Sequence, residues 1–132
     1  MENRKALLVI DMQKGSFTPK TPRHDTVGVV KRINELAELF RELGYPVVYI
    51  QHDGTGTGEF EKNATDWENL DDLTVESKDV RIDKYANDVF YKSDLHSKLK
   101  ELNEQLKRKI AERTTASQSH ESTRNTHWIF VL

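Results

Sequence analysis

The 132-residue sequence contains no cysteine. These residues therefore cannot form a disulfide, supply a thiolate metal ligand or provide a thiol nucleophile. Long apolar runs are also missing, since no stretch approaches the roughly 18 apolar residues that a membrane span needs. Neither sign of charge dominates, because 20 basic residues stand against 22 acidic ones. This balance gives no reason to expect nucleic acid or an anionic membrane as a partner, and we expect a cytoplasmic protein.

Short apolar runs alternate with amphipathic helical stripes along the first 111 residues. Continuous apolar runs of this kind are typical of buried parallel strands. The predicted strands lie near residues 5–10, 46–50 and 80–83, and the predicted helices near 25–43 and 94–111. Strand, helix and strand in this order predict an α/β protein, an incomplete Rossmann-like three-layer fold around a parallel sheet.

The pattern changes near the C-terminal end. From Glu112 to His127 the chain is almost free of apolar residues. Such a segment cannot bury enough surface to order itself, so we predict a domain over residues 1–111 and a polar, poorly ordered tail over 112–132. The tail ends in a short apolar run, 128–132, that can add a further strand.

Asp11 stands directly after the first apolar run, Ala6-Leu7-Leu8-Val9-Ile10. In open α/β sheets, ligands bind outside the carboxyl ends of the strands, so a carboxylate at this point is a candidate for chemistry. An Asp after a strand can equally be a turn former or a helix cap. The residue alone therefore leaves both interpretations open.

Glycine occupies every second position of Gly54-Thr55-Gly56-Thr57-Gly58, which follows the second predicted strand. Alternating glycines let the backbone approach a ligand closely. A phosphate-binding loop would end in Lys-Ser or Lys-Thr and open a helix, and this run does neither. We therefore predict a loop beside the sheet edge rather than a phosphate site.

Four segments in order resemble the isochorismatase-like cysteine hydrolases, the superfamily that also holds nicotinamidases and related amidases. The resemblance covers residues 5–103, about three quarters of the chain. The segments are Ala6-Leu7-Leu8-Val9-Ile10-Asp11-Met12-Gln13 with Phe17, Gly44-Tyr45-Pro46-Val47-Val48-Tyr49-Ile50-Gln51-His52-Asp53-Gly54, Ile82-Asp83-Lys84-Tyr85-Ala86-Asn87-Asp88-Val89-Phe90, and Leu99-Lys100-Glu101-Leu102-Asn103.

The resemblance implies a hydrolase for a small amide, imide or enol-ether substrate. Asp11 would be the general base and Lys84 the cationic partner, flanking a thiol from neighbouring strand ends. Without the resemblance, Lys84 would be a surface lysine paired with Asp83 or Asp88. Neither a metal nor a cofactor is expected.

The resemblance also makes five loop residues candidates for contacting the substrate. They are Gln13, Phe17, His52, Trp67 and Phe90. His52 has an alternative interpretation as a loop histidine satisfied within the protein, because the Asp-x-His spacing of the nicotinamidase metal site is missing.

The sequence departs from the family after Asn103. The family continues with a hydrophobic strand, a glycine-containing turn and the nucleophilic Cys, whereas Glu104 to Ile110 here prolongs the helix. Charge changes at the same point, from 19 acidic and 15 basic residues over 1–103 to 3 and 5 over 104–132. We hypothesise a frameshift, alternative splicing or truncation near residue 104. The other reading frames of the downstream DNA test this, because one of them should encode the missing strand and Cys.

Three functional hypotheses follow. The chain is an isochorismatase-like hydrolase that is inactive without its Cys, a non-catalytic relative that binds a ligand or a partner subunit, or an incomplete product without function. A small sheet with one under-covered face also leads us to expect a homo-oligomer.

Overall fold

A parallel sheet with one helix on each face forms the structure, a computed structural model that describes residues 4–113 and 126–131. The strands are β1 (Arg4–Ile10), β2 (Val47–His52), β3 (Val80–Lys84) and β4 (Thr126–Val131), and the helices are α1 (Thr26–Glu42) and α2 (Leu95–Arg113). A short 3-10 turn covers Lys14–Ser16. The predicted α/β fold, with its parallel strands and both helices, is confirmed.

The strand order is β3-β2-β1-β4, and all three pairings are parallel. β1 lies against β2 with Leu7 beside Val47. The chain moves outward from β1 through β2 to β3 and then crosses back to β4 on the other side of β1. The order therefore reverses beside β1, and such a reversal opens a crevice at the carboxyl ends of the strands.

Both ends of α1 are capped by residues that the sequence marks. The Asp25 carboxylate accepts a hydrogen bond from the Gly28 amide, 3.2 Å away, and so satisfies one of the free N–H groups of the first turn. At the other end Gly44 adopts a left-handed conformation with φ of 79°. The amide of Gly44 donates to the carbonyl of Arg41, and that of Tyr45 donates to the carbonyl of Phe40. These two bonds form a Schellman motif, which ends the helix.

Two hydrophobic clusters lie on opposite faces of the sheet, because successive strand residues point to opposite sides. On the α1 face, Leu7 and Tyr49 pack against Ile33 and Phe40. The cluster on the α2 face comprises Ala6, Leu8, Ile10, Val48, Ile50, Ile82, Leu95 and Leu99. β1 and β2 are thus buried on both faces, which explains their continuous apolar sequences.

The crossover from β2 to β3, residues 53–79, contains no named helix or strand. Leu73 of this segment is buried in the α1-face cluster. An ion pair also holds the crossover, because the Arg41 guanidinium contacts both carboxylate oxygens of Asp79 at 3.0 and 2.6 Å. The crossover is therefore fastened to α1 by apolar packing and by a buried charge pair.

The C-terminal part of the chain contributes β4, which pairs with β1 from Arg4 beside Thr126 to Val9 beside Val131. The predicted apolar end near 128–132 thus corresponds to a strand that begins two residues earlier. Residues 114–125 lie outside the described residues, so their predicted disorder and the domain boundary at 111 remain predictions. In the residues that the structure describes, neither helix is long and apolar enough to cross a bilayer.

Candidate active site

Asp11 begins the loop that leaves β1. Its amide continues the sheet by donating to the carbonyl of Ile50, 3.0 Å away. Its φ of 60° lies in the left-handed region, which Asp adopts more readily than most residues with a Cβ. This turn takes the chain off the line of β1 and sets the carboxylate at the carboxyl edge of the sheet. Left-handed residues other than glycine are enriched at functional sites, where the surrounding structure holds them.

Lys84, the last residue of β3, forms an ion pair with Asp11. Its Nζ lies 2.9 Å from Oδ2 of Asp11. The two strands are not neighbours as the resemblance implied, because β2 lies between them. Two strand spacings are about 10 Å, so the long lysine side chain reaches across the end of β2 to the carboxylate. Neither Asp83 nor Asp88 is the partner of Lys84: Asp83 pairs with Lys62.

The two members of the pair differ in exposure. The Lys84 side chain is 5% exposed and that of Asp11 is 44% exposed. A buried ammonium is unfavourable unless an opposite charge is close, and Asp11 supplies that charge. Within the described residues, Asp11 Oδ1 is a buried atom that accepts no hydrogen bond. The Asp11 side chain as a whole is nevertheless partly exposed, so the ion pair leaves part of it accessible at the sheet edge.

Asp11 lines a cavity of about 460 Å³ at the carboxyl edge of the sheet. This volume is in the range of small-molecule sites. The cavity lies beside the carboxyl end of β1, where the strand order reverses. Its other lining residues are Ile10, Met12, Ser16, Phe17, Arg23, His24, Thr26 and Val29. Phe17, predicted to contact the substrate, thus shares the cavity with Asp11.

Gln13, His52 and Trp67 form a hydrogen-bonded network. The Gln13 side chain is fully buried. Its amide nitrogen donates to the carbonyls of His52 and Trp67 at 2.9 and 2.8 Å, and its amide oxygen accepts from the His52 amide at 2.8 Å. These bonds use both hydrogens of the Gln13 side-chain amide. The network joins the start of the site loop to the end of β2, and substrate contact by these three residues stays a prediction.

His52 and Phe90 lie against other parts of the chain. The His52 ring meets Phe60 edge-on, with the ring centroids 6.0 Å apart. Phe90 follows β3, is 39% exposed, and its amide donates to Oδ1 of Asp88. Neither residue is among those that line the Asp11 cavity. In residues 4–113 and 126–131, no three His, Cys, Asp or Glu side chains are grouped as a metal ion would need.

The glycine-rich loop after β2 is closed by its own hydrogen bonds. The Glu61 carboxylate accepts from the amides of Gly56 and Gly58, at 2.9 and 3.2 Å. Gly54 is required by close approach, because a Cβ there would overlap the carbonyl of Glu59. The amides that a phosphate would use are already bound to an acidic side chain. A phosphate site here is therefore incompatible with the observed loop.

Sequence patterns did not indicate Arg23 and His24, which the structure places on the cavity. Both belong to the loop between β1 and α1, which carries no helical or strand periodicity. The position of Arg23 depends on contacts with Ser16 and Phe17, which are seven and six positions earlier. The nearby Pro19 and Pro22 mark a loop but do not indicate which way its side chains face.

Comparison with known sequences gives a consistent family match. A sequence model of the Isochorismatase domain matches residues 5–108. The uncharacterized isochorismatase family protein YrdC of Bacillus subtilis (strain 168) is 40% identical to this chain over 52 residues, which are 39% of this chain and 28% of that protein. The chain thus spans about a quarter of the curated relative that it matches.

Solved structures show the same fold. A cysteine hydrolase from Pseudomonas syringae pv. phaseolicola 1448A has a TM-score of 0.66 at 26% identity, over 75% of this chain and 55% of that one. N-carbamoylsarcosine amidase from Thermoplasma acidophilum has a TM-score of 0.68 at 21% identity, over 97% of this chain and 81% of that one, and at this identity the likeness concerns the fold alone. With the domain match over residues 5–108, these findings show that the chain belongs to the isochorismatase family.

Proposed function

We propose that Asp11 and Lys84 are the base and the cationic partner of an isochorismatase-type hydrolase site. The observation that supports this most directly is the 2.9 Å ion pair beside a cavity of ligand size. The buried ammonium holds the carboxylate in place through Oδ2, while the Asp11 side chain stays 44% exposed and lines the cavity. A carboxylate arranged in this way can take a proton from a nucleophile in the cavity.

The ammonium has a second role in this chemistry. Attack on an amide or imide carbonyl develops negative charge on oxygen, and a nearby buried cation stabilises that charge strongly. In the family that the sequence resembles, the nucleophile between these two groups is a thiol. The 132 residues contain no cysteine. Loss of one member of a catalytic unit usually removes most of the rate, because its members act together.

These residues therefore bind a small amide, imide or enol-ether ligand beside Asp11 without hydrolysing it by the thiol route. An amide is the first class to test, since one of the fold neighbours is an amidase. This function combines the family site with the ligand-binding alternative that the sequence left open.

Two measurements on the purified chain test the proposal. Ammonia release from simple amides such as glutaramide should not exceed the level given by Asp11→Asn. A two-dimensional amide NMR titration with glutaramide should shift the signals of Asp11, Met12 and Lys84, and Asp11→Asn should weaken binding at least about threefold. Asp71→Asn is the matched control, because Asp71 is 86% exposed and, among the described residues, forms its ion pair with Lys14 and not with Lys84.

Two results would contradict the proposal. Thiol-independent ammonia release that disappears in Asp11→Asn would show that the chain is an active hydrolase. Equal glutaramide binding by Asp11→Asn and Asp71→Asn would remove Asp11 from the ligand site. Circular dichroism of each variant establishes that it is folded before binding is compared.

A further inference from the structure

Arg23 is held at the mouth of the Asp11 cavity by two contacts. Its Nε donates to the carbonyl of Ser16 at 3.0 Å. The guanidinium carbon lies 6.0 Å from the centroid of the Phe17 ring, which is within the range of cation–π attraction. Both partners are themselves cavity residues. The guanidinium is thus positioned by the wall of the cavity, although the side chain is exposed.

The Ser16 contact uses only one of the five N–H groups of the guanidinium. Across residues 4–113, no side-chain or backbone acceptor bonds to Nη1 or Nη2 of Arg23, and Arg23 forms no ion pair. A guanidinium presents its two η-nitrogens in a fixed fork that matches the two oxygens of a carboxylate. Arg23 therefore keeps the part of its surface that recognises such an anion.

The positive charge of Arg23 is not paired with a carboxylate of the cavity. Asp11 is the single carboxylate among the lining residues, and Lys84 offsets it at 2.9 Å. Asp25, close in sequence, is directed to α1, where it accepts from Gly28 and pairs with Arg32. The remaining walls are mixed, with apolar side chains from Ile10, Met12 and Val29 beside polar ones. The cavity thus combines apolar and polar walls with the guanidinium of Arg23, which has no carboxylate partner among the described residues.

We propose that this cavity takes a small ligand that carries a carboxylate, and that Arg23 binds this carboxylate while the carbonyl end of the ligand lies beside Asp11. The Asp11 end of the assignment rests on the proposed function, whereas the Arg23 end stands on the contacts of the guanidinium. Arg23 is then a specificity-determining residue, which selects acidic amides over neutral ones of the same shape.

The test compares glutaramate with glutaramide, which differ only in that a carboxylate replaces one amide. Dissociation constants are measured by amide NMR titration of the full chain at low ionic strength. The chain should bind glutaramate about three- to tenfold more tightly, as expected for a partly exposed charge-assisted pair. Arg23→Gln should abolish this preference, and Arg23→Lys should keep part of it because the charge remains.

Two matched variants separate Arg23 from general charge effects. Arg108→Gln removes the same charge from an exposed position on α2, and His24→Gln removes the neighbouring imidazole of the cavity. Both should keep the preference for glutaramate. Equal affinity of the unmodified chain for the two ligands, or an equal loss of preference in Arg23→Gln and Arg108→Gln, would overturn the assignment of Arg23.

The result also separates this inference from the proposed function. Glutaramide binding that depends on Asp11, without any preference for glutaramate, contradicts the role of Arg23 alone. Glutaramate binding that depends on Arg23 but is unchanged in Asp11→Asn contradicts the role of Asp11 alone. If neither ligand binds, both assignments fail.

Discussion

The two helices cover opposite faces of one sheet and have similar lengths, 17 residues for α1 and 19 for α2. They differ in how much of their surface packs against the rest of the protein. α1 buries Val30, Ile33, Ala37 and Phe40 along its whole length. Among the described side chains of α2, only Leu95 and Leu99 are buried, and both lie in its first five residues. The length of a helix and the presence of an apolar stripe therefore do not by themselves show how much the helix contributes to the stability of the fold.

The difference follows from what each helix crosses. α1 lies against β1, β2 and the long crossover, which adds Leu73 and the Asp79 carboxylate to its contacts. The second half of α2 borders the starts of strands β1 and β2, where Leu102 and Leu106 line a small cavity with Arg4 and Pro46 and remain half-buried. The α1 face also supplies the wall of the Asp11 cavity through Val29. The face of the sheet with the more extensively packed helix, α1, is thus the face that contributes to the candidate site.

The largest expected effect comes from truncating the α1 core. Ile33 is 1% exposed, so Ile33→Ala leaves a cavity and should lower the free energy of unfolding by about 3 kcal/mol. Leu106→Ala on α2 should cost about 1 kcal/mol or less, because its side chain is already partly in water. Urea denaturation of both variants measures the contrast. Equal losses would show that α2 is as firmly packed as α1.

A smaller effect is expected from the ion pair that fastens the crossover to α1. The Arg41 and Asp79 side chains are 7% and 1% exposed. Asp79→Asn removes the nearer and more buried of the two carboxylates at the guanidinium, the other being Glu76 at 3.6 Å, and should cost about 2–3 kcal/mol. Glu101→Gln breaks the exposed Lys98–Glu101 pair on α2 and should cost only about 0.3 kcal/mol.

The same denaturation experiment decides this case. A loss below about 1 kcal/mol in Asp79→Asn would mean that the remaining contacts of Arg41, with Glu76 and with the carbonyl of Thr74, are enough to hold the crossover.

The smallest effect concerns alkaline stability on the α1 face. Burial raises the pKa of Tyr49 above its ordinary value of 10.0, and the nearby Arg41 guanidinium opposes this only in part. Above about pH 10 the unfolded chain releases this proton while the folded chain retains it, so folding loses stability as the pH rises through the raised pKa. The stabilising contribution is fully present below pH 10.

Tyr49→Phe has no such proton and supplies the comparison. Between pH 9 and pH 11, the unmodified chain should lose more stability than Tyr49→Phe in urea denaturation, because only the unmodified chain carries the Tyr49 proton. Parallel stability curves for the two proteins over this range would contradict the assignment to Tyr49.

Features that depend on neighbouring residues were predictable from the sequence. The apolar stripe of α1 repeats every three or four residues, so α1, predicted near residues 25–43, was predicted to within one residue at each end. The strands were also predictable, because strands that are buried on both faces are continuous apolar runs in the sequence. Asp11 was selected because it follows such a strand, whereas Lys84 was selected only through the resemblance to the isochorismatase-like hydrolases.

Features that depend on contacts between residues distant in sequence were not predictable from the sequence. Arg41 and Asp79 are 38 residues apart, and Gln13 and Trp67 are 54 apart. No periodicity records which surface arginine or glutamine will be buried by a later segment. The same reason hides Arg23, whose place on the cavity depends on how an aperiodic loop folds back on Phe17.

The position of Lys84 across β2 has a consequence for how the sheet assembles. β3 has only five residues, and short strands define their alignment weakly. A slip of one residue that moved Asp83 into the position of Lys84 would bring Asp83 to Asp11 and Ile82 to Lys62, so that both ion pairs would be lost and two carboxylates would meet. The correct alignment instead gives two attractive pairs, Asp11 with Lys84 and Lys62 with Asp83. The charges of the candidate site thus also favour the correct alignment of β3 with β2 over the alignment shifted by one residue.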